Sequence, residues 1–386
     1  MRDVVILGST GSIGTQALDV IASRRDRFRV VALTAGGTQL ELLAAQVRDF
    51  RPAFVGVGDD EAAARLRELL ADVEVDVVGA GANERAARMR CDVVLNAITG
   101  AAGLLATLAA LEAGTTLALA NKESLVIGGR LVTDAAAADQ LVAVDSEHSA
   151  FAQALRAGRA SEVRRLILTA SGGPFRGRTR SELADVTPEQ AMAHPTWTMG
   201  RVITINSATL VNKGLELIEA ALLYGIDYEA ITVVVHPTSD VHSMVEYVDG
   251  STIAQCSPPD MRLPIALGLA WPERVPGAAS AYDWTTPRSW HFEPLDAGAF
   301  GAVELARRAG RAAGTAPAVY NAANEVCVDA FCAGRLGFLG IVDTVEAVVT
   351  AHLAAGHVPD ADLDLGAVLA ADAWARRRAA EICGAA

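Results

Sequence analysis

The stretch Val4-Val-Ile-Leu-Gly-Ser-Thr-Gly-Ser-Ile-Gly14 decides the fold of the first part of the chain. Its four apolar residues have the pattern of a short buried strand, and helical spacing begins soon after the last glycine. A glycine loop between a strand and a helix is where a dinucleotide places its pyrophosphate, at the helix N-terminus. The spacing is GxxGxxG and not the commoner GxGxxG, so a plain glycine turn is the alternative interpretation.

Short apolar runs recur after this loop, and each is separated from the next by a helical segment. They lie at residues 29–33, 54–57, 75–78, 93–98 and 116–120. This alternation is typical of βαβ units and predicts a mostly parallel sheet. We therefore expect an α/β protein whose first domain, residues 1–138, is a Rossmann-like, doubly wound domain.

The pattern changes after residue 138. Strand-like runs become closely spaced, and Asp249-Gly250 is a hairpin signal between two of them, which predicts a mixed sheet. We expect a central α+β domain over residues 139–296, which ends in a connector rich in Pro and Trp. Residues 297–386 are Ala-rich with helical spacing, and they predict a C-terminal helical bundle domain.

Composition narrows the classes of function. The 386 residues are 51% hydrophobic and 20% charged, as in an ordinary globular protein of two or three domains. A formal net charge of −13 argues against nucleic acid and anionic membranes as partners. The apolar runs are too short to span a bilayer, and a strand-like run directly after Asp3 leaves no room for a signal peptide. The cysteines lack CxxC spacing and are expected to be reduced, so the predicted location is cytoplasmic.

Lysine occurs only twice, at Lys122 and Lys213, although arginine is abundant. Each lysine directly follows an asparagine. A compact ammonium suits positions where a planar guanidinium does not fit. We interpret both lysines as functional, with chance survival as the alternative.

Residues 34–38, which follow the second predicted strand, bear on the choice of cofactor. An NAD site usually has an Asp or Glu here to bind the ribose hydroxyls. This chain has Thr-Ala-Gly-Gly-Thr and no acid. Because a carboxylate would repel a 2′-phosphate, its absence favours NADP.

Two polar segments are candidates for a metal and substrate site. Asp145-Ser-Glu-His148 follows a predicted strand, at the end where α/β domains bind ligands, although Asp and Ser also cap helices. The segment 206–216 is predicted to open a helix with a polar face, which is a ligand-binding face or else a solvated surface. That face carries Thr209, Asn212, Lys213 and Glu216. Glu216 is suited to join Asp145 and Glu147 as an oxygen ligand, and a carboxylate set favours Mg²⁺ or Mn²⁺ over Zn²⁺.

Two loops complete the candidate site. Ser171-Gly-Gly-Pro-Phe175 offers a hydroxyl and glycine amides to an anion. Residues 194–200 carry His, Trp and Met together without helical periodicity. Such a segment is either wedged into the core or a lid that closes over a ligand, and we favour the lid.

Taken together, these motifs resemble those of the 1-deoxy-D-xylulose 5-phosphate reductoisomerase family. The motifs, in order along nearly the whole chain, are 8–14, 120–125, 145–148, 171–175, 194–197, 212–216 and 321–325. The resemblance implies conversion of 1-deoxy-D-xylulose 5-phosphate to 2-C-methyl-D-erythritol 4-phosphate in the non-mevalonate isoprenoid pathway. The implied cofactors are NADPH and Mg²⁺ or Mn²⁺. It also implies a homodimer whose central domain carries catalysis, metal binding and dimer contacts.

The resemblance further implies the residues of the site. The metal ligands would be Asp145, Glu147 and Glu216. The catalytic residues would be Lys122, Glu147 and His194. The sugar phosphate would be bound by Lys122, Ser146, Glu147, Ser171, His194, Trp197, Ser207, Asn212, Lys213 and Glu216. NADPH would be bound by Thr10, Gly11, Ser12, Ile13, Gly36, Gly37, Thr38, Asn121, Glu123 and Gly200.

Two features of the chain stand apart from these assignments. Family members often carry a basic residue or Asn at positions 37 and 38, where this chain has Gly and Thr. Asn321 and Asn324 have no derived role, and helix capping is the simplest interpretation. Two other functions compete with the reductoisomerase: a homoserine-type dehydrogenase and a non-catalytic NADP-sensing regulator. The dehydrogenase leaves the carboxylates and the lysine-bearing helix unused. The regulator predicts cofactor binding without metal-dependent turnover and gives no reason for Lys122 to resist exchange for arginine.

Overall fold

The computed structural model describes residues 1–197 and 199–384. The strands are β1 (Arg2–Leu7), β2 (Phe28–Thr34), β3 (Phe54–Gly56), β4 (Asp76–Val78), β5 (Val93–Asn96), β6 (Thr116–Leu119), β7 (Leu141–Ala143), β8 (Val163–Ala170), β9 (Ile231–Val235), β10 (Val241–Tyr247), β11 (Thr252–Cys256) and β12 (Glu293–Pro294). The first helices are α1 (Ser12–Ala22), α2 (Leu40–Phe50), α3 (Asp60–Leu69), α4 (Ala82–Ala87), α5 (Leu104–Glu112), α6 (Lys122–Gly128), α7 (Arg130–Ala135) and α8 (Ser146–Ala154). The later helices are α9 (Pro188–Ala191), α10 (Arg201–Thr209), α11 (Val211–Tyr224), α12 (Arg262–Ala270), α13 (Ala302–Ala312), α14 (Ala316–Cys332), α15 (Phe338–Ala355) and α16 (Leu365–Ile382).

The first sheet is parallel throughout, with the strand order β4-β3-β2-β1-β5-β6-β7. It confirms the predicted doubly wound arrangement. The strand order reverses between β1 and β5, and ligands of such sheets bind outside the carboxyl ends of the strands at that point. The glycine loop follows β1, so it lies at this switch point.

The second sheet is mixed and has the order β11-β10-β8-β9-β12. Strands β8 and β9 are parallel, whereas the other neighbours are antiparallel. The predicted hairpin at Asp249-Gly250 is confirmed, because Glu246 of β10 pairs with Thr252 of β11. Gly250 has a φ of +88°, which glycine adopts without the strain of a Cβ.

The chain forms two compact units. The first contains residues 1–124, 134–149 and 260–280, and the second contains residues 125–133, 150–259 and 281–386. The first has its own hydrophobic core around Val4, Leu33 and Leu95. The second has a separate core that includes Leu166, Ile218, Tyr320 and Val345. The organisation into domains 1–138, 139–296 and 297–386 stays a prediction.

Helix α12 belongs to the first unit, although the sequence pattern assigned it to the central domain. Its residues Ile265 and Leu269 are buried in the same core as Val4 of β1. The guanidinium of Arg2 donates to the carbonyl of Leu269 at 3.2 Å and connects the end of α12 to β1. The apolar residues of this helix indicate that it is buried, but they carry no signal for which sheet it covers.

Among the described residues, one helix, α15, has the length and the apolar composition that crossing a membrane would require. It lies in the core of the second unit through Val345, Val348 and Val349. Buried core helices pass the same test of composition, so the feature is weak evidence for a membrane.

The cysteines are free, as predicted, and Cys327 and Cys383 are buried. Burial raises the pKa of Cys91 to about 11 and also raises the pKa of Cys327. Thiols with raised pKa are protonated at neutral pH and poorly nucleophilic. We therefore interpret these two cysteines as packing residues.

Candidate active site

The glycine loop connects β1 to α1, as predicted. A Cβ on Gly14 would lie 2.3 Å from the backbone oxygen of Gly8, and one on Gly8 would lie 2.5 Å from that of Ala97. Gly8 also has a φ of +83°. Gly11 is the N-cap of α1 and offers it no side-chain hydrogen bond. An anion at this helix N-terminus suits the arrangement, because the first backbone N–H groups of a helix have no intrahelical acceptor.

Gln46, which the sequence pattern did not reveal, holds the glycine loop through hydrogen bonds to Ser9. The buried hydroxyl of Ser9 donates to Gln46 Oε1 at 2.8 Å, and Gln46 Nε2 donates to the carbonyl of Ser9 at 2.9 Å. The backbone N–H groups of Gly8 and Ser9 both donate to the carbonyl of Thr34. A glutamine on an amphipathic helix usually lies at the surface, so sequence alone gave no reason to select Gln46.

The loop after β2 contains the residues predicted to select NADP. Gly36 and Thr38 are exposed, and Gly37 is half-buried. Gly37 has a φ of +98°, a conformation that residues with a Cβ rarely adopt. This backbone conformation accounts for a glycine at position 37. The binding of a 2′-phosphate here stays a prediction.

Lys122 and Asp145 form a buried ion pair at the end of the first sheet. Their side chains are 5% and 12% exposed. The two residues follow β6 and β7, which are neighbouring parallel strands, so their carboxyl ends meet at one edge. His148 Nδ1 lies 3.5 Å from Asp145 Oδ1. Burial alone would raise the pKa of Asp145, but Lys122 and His148 outweigh it and hold that pKa well below its usual range.

The segment after β7, residues 145–148, has features of both interpretations, the helix start and the cluster of polar side chains. It begins a helix, since α8 starts at Ser146 and Asp145 Oδ1 accepts a hydrogen bond from the backbone of Glu147 at 3.3 Å. It also gathers polar groups, since the hydroxyl of Ser146 contacts the carboxylate of Glu147. After the neighbouring strand β6, Asn121 Nδ2 donates to Glu123 Oε2 at 3.0 Å. The segment is therefore a helix start that carries two carboxylates.

The segment 206–216 does not open a single helix, and that part of the prediction is wrong. Helix α10 ends at Thr209, Leu210 has a left-handed φ of +62°, and α11 begins at Val211. Because the helix breaks at Leu210, Thr209 belongs to α10 and does not share a helical face with the α11 residues. The physical reason is the buried Leu210 side chain, which is 3% exposed and fixes a backbone that a leucine rarely adopts. We call residues 206–213 the α10–α11 elbow.

The polar residues of α11 do lie together. The Lys213 ammonium pairs with the carboxylate of Glu216, and Asn212 Nδ2 donates to Glu216 Oε1 at 2.5 Å. Lys213 and Glu216 are buried, at 4% and 1% exposure. The alternative of a solvated surface is therefore wrong for these two residues. Whether Glu216 shares a metal with Asp145 and Glu147 stays a prediction, because it belongs to the other unit.

Ser171 and His194 are brought together within the second unit. Ser171 Oγ lies 3.0 Å from His194 Nε2. His194 Nδ1 accepts the backbone N–H groups of Thr196 and Trp197, so Nε2 carries the proton and donates to Ser171. Burial lowers the pKa of His194, which favours this neutral form. The loop 194–200 stays a predicted lid, and its residue 198 lies outside the described residues.

Family models match most of the chain. The model for 1-deoxy-D-xylulose 5-phosphate reductoisomerase matches residues 4–129. Those for the C-terminal domain of the same enzyme match residues 141–224 and 256–378. The chain belongs to the 1-deoxy-D-xylulose 5-phosphate reductoisomerase family. The resemblance seen in the motifs is thereby confirmed.

Relatives in this reductoisomerase family align over almost their entire length. The reductoisomerase of Cutibacterium acnes is 65% identical, over 99% of this chain and 98% of the relative. The one of Paenarthrobacter aurescens is 58% identical, over 98% of this chain and 97% of the relative.

Two solved reductoisomerase structures have the same fold as this chain. The enzyme of Zymomonas mobilis, in complex with NADPH, has a TM-score of 0.91 at 43% identity and covers 100% of both chains. A second, in complex with NADPH, fosmidomycin and magnesium, has a TM-score of 0.93 at 35% identity and covers 100% of this chain and 98% of that one. The predicted α/β fold with a Rossmann-like N-terminal domain is confirmed.

The close packing of the glycine loop leads to a specific prediction about NADPH binding. We expect Gly14→Ala to raise the Kd for NADPH at least about tenfold, because the new Cβ would force the loop away from Gly8. A fluorescence titration with NADPH measures this. Gly337→Ala is the matched control, because a Cβ there would meet no atom within 4 Å. Equal Kd values for the two variants would contradict cofactor binding at this loop.

His194 predicts a pH dependence of stability. Its pKa in the fold lies below the ordinary value of about 6.5, so the unfolded chain binds the proton more readily. Its contribution to the free energy of unfolding is complete above about pH 6.5 and is lost as the pH falls through the lowered pKa. We expect the decrease in stability between pH 7 and 5 to be smaller in His194→Gln than in the parent. Urea unfolding across this range measures it, and identical slopes would contradict the prediction.

Proposed function

We propose that the chain converts 1-deoxy-D-xylulose 5-phosphate to 2-C-methyl-D-erythritol 4-phosphate, with NADPH and a divalent metal, in the non-mevalonate isoprenoid pathway. Family membership over nearly the whole chain supports this function. The observation that carries it is the buried Lys122–Asp145 pair beside Glu147, because a rearranging hydroxyketone needs a cation and metal ligands at one place. The reaction first rearranges the carbon skeleton and then reduces the resulting aldehyde.

The carboxylates fit a divalent cation. Asp145 stays ionised although it is buried, because its pKa is held well below the usual range. We assign Asp145, Glu147 and Glu216 as the metal ligands, and an oxygen-only set suits Mg²⁺ or Mn²⁺. A bound metal ion would act as a Lewis acid on the carbonyl and hydroxyl oxygens of the substrate.

Lys122 is the proposed hydrogen-bond donor to a reacting hydroxyl of the substrate. Its ammonium is buried, so little water screens its charge. Asp145 holds the Lys122 side chain in place through the ion pair. Ser146 is assigned to the substrate as a neighbour of the metal ligands, and Glu147 would contact both metal and substrate.

The phosphate of the substrate is assigned to polar groups of the second unit. They are Ser171, His194, Ser207, Asn212 and Lys213. Neutral His194 presents an Nε2–H donor, and Lys213 acts as a point charge on the phosphate. Binding energy from this remote group favours closure of the 194–200 loop, where Trp197 would cover the substrate and exclude water.

NADPH is assigned to the glycine loop and to the loops beside it. It would supply the hydride for the second stage. Residues Thr10, Gly11, Ser12 and Ile13 would hold the pyrophosphate at the start of α1. The other assigned residues are Gly36, Gly37, Thr38, Asn121, Glu123 and Gly200.

We also propose that the chain works as a homodimer in the cytoplasm. The family resemblance supports the dimer, and β11 supports it as an edge strand with Ile253 exposed at 39%. Free cysteines support a reducing compartment. The net charge of −13 supports a small-molecule substrate over nucleic acid or an anionic membrane.

The decisive assay follows NADPH absorbance with 1-deoxy-D-xylulose 5-phosphate, with and without Mg²⁺ or Mn²⁺. We expect oxidation of NADPH only when both the sugar phosphate and a metal are present. Homoserine with NADP serves as the control for the alternative dehydrogenase. NADPH binding without turnover in either metal would contradict the proposal and favour the NADP-sensing regulator.

A further inference from the structure

The motif Asn321-Ala-Ala-Asn-Glu325 has no part in the assignments above. Both asparagines lie within α14, so helix capping is wrong for them. Asn321 is 1% exposed and Asn324 is 0% exposed. Burying an amide costs free energy unless it is hydrogen-bonded, so the partner of a buried amide indicates what it does. Asn324 has such a partner at Nδ2, whereas its buried Oδ1 has none among the described residues.

The partner of Asn324 lies in the α10–α11 elbow. Asn324 Nδ2 donates to Asn206 Oδ1 at 2.9 Å, and Asn206 is itself 3% exposed. Asn206 directly precedes Ser207, one of the residues assigned to the substrate phosphate. The bond therefore joins the last turn of α10 to α14 next to that residue.

Tyr320, one helical turn before Asn324, lies against α11 at Gly214, the residue directly after the elbow. A Cβ on Gly214 of α11 would lie 2.6 Å from Tyr320 Oη, so the tyrosine hydroxyl lies directly against the α11 backbone. Tyr320 also donates to the carbonyl of Ala302 at 3.2 Å, which fixes its hydroxyl. Positions 320 and 324 share one face of α14, so one face supports both helices of the elbow.

The elbow needs such support. Leu210 joins its two helices in a left-handed conformation, which persists only where the surroundings over-determine it. The Ser171 loop also rests on the elbow, because a Cβ on Gly173 would lie 3.0 Å from the carbonyl of Ser207. A shift of Asn206 would consequently move Ser207 and its contact with that loop together.

We propose that Asn324 is a positioning residue for substrate binding, which acts through Asn206 to set Ser207 against the substrate phosphate. The proposal rests on the proposed function, since it takes Ser207 as a phosphate ligand. The effect of losing the bond is therefore on KM for the sugar phosphate more than on kcat. Binding of NADPH is expected to be unchanged, because most of its assigned residues belong to the first unit and Gly200 lies at the opposite end of α10 from Asn206.

The test compares steady-state kinetics of Asn324→Ala, Asn206→Ala and the double variant with those of the parent. We expect each single variant to raise KM for 1-deoxy-D-xylulose 5-phosphate by about tenfold, to lower kcat less than about threefold and to leave the KM for NADPH unchanged. The double variant is expected to match the single variants, because both remove the same bond. Inorganic phosphate is expected to become a weaker competitive inhibitor in the same variants that raise the KM.

Asn321→Ala is the matched control. It is an equally buried asparagine on the same helix, and it donates to Glu325 Oε1 at 2.9 Å, away from the elbow. Its loss is expected to lower the melting temperature while KM stays unchanged. Equal KM increases in Asn321→Ala and Asn324→Ala would overturn the positioning role. Should Asn324→Ala not fold, Asn206→Ser tests the same bond from the other side.

Ser207→Ala separates this proposal from the function on which it rests. If Ser207→Ala raises the KM and folded Asn324→Ala does not, the positioning role is overturned while the phosphate site stands. If Ser207→Ala leaves both the KM and the inhibition by phosphate unchanged, the assignment of Ser207 itself fails.

Discussion

We expect Lys122→Met to lower kcat for NADPH oxidation by on the order of 10³-fold, because it removes a buried cation from the place where negative charge develops on the substrate. The same change leaves the carboxylate of Asp145 buried without its partner, and its pKa is expected to rise. Initial rates at saturating substrate and metal measure kcat. Thermal unfolding, measured alongside, reports the loss of the ion pair separately.

Two matched variants make this expectation specific. Lys122→Arg keeps the charge but replaces a compact ammonium by a planar fork, and we expect it to stay at least about tenfold below the parent. Lys213→Met removes the other lysine, whose assigned partner is the phosphate, and is expected to raise KM by more than it lowers kcat. Full activity in Lys122→Arg would refute the interpretation of the rare lysines. If Lys122→Met and Lys213→Met lowered kcat to a similar degree, the separate roles assigned to the two lysines would be refuted.

The fold was largely predictable because its signals are local. Alternating strands and helices, with glycines 8, 11 and 14 between the first pair, determine a parallel sheet with a loop at its edge. Helix α12 was not predictable in the same way. It belongs to the first unit although residues 150–259 of the second unit precede it in the chain. Its apolar face would fit any hydrophobic surface. Local periodicity indicates that a helix is buried, whereas its partner depends on contacts that are distant in sequence.

The site was predictable in its residue types but not in their pairing. That Lys122 meets Asp145 depends on β6 and β7 being neighbours, which follows from the order of strands and not from either motif. The break at Leu210 was missed because leucine is a good helix former, and only tertiary burial holds it in a left-handed conformation. Asn324 was misassigned for a related reason, since a buried amide bond across the chain leaves no local pattern.

Asp145→Asn is expected to lower activity at a fixed, moderate Mg²⁺ concentration by about 10³-fold and to raise the apparent Kd for the metal at least about a hundredfold. An amide has nearly the shape of the carboxylate but lacks its charge, so it binds a hard cation weakly. The change also removes the ion pair between Asp145 and buried Lys122, which destabilises the first unit. Activity titrated with Mg²⁺ and direct binding of Mn²⁺ measure the two effects independently.

Asp3→Asn is the control for the loss of an ionised carboxylate from the same unit. The pKa of Asp3 is lowered by its hydrogen bond with Arg29, but Asp3 lies near the start of β1, at the opposite end of the parallel sheet from Asp145. We expect Asp3→Asn to leave the metal requirement unchanged. If Asp145 is a ligand, excess Mg²⁺ should restore part of the activity of Asp145→Asn. Lost activity with an unchanged Kd for Mn²⁺ would instead restrict Asp145 to holding Lys122 in place, and the metal would then need other ligands.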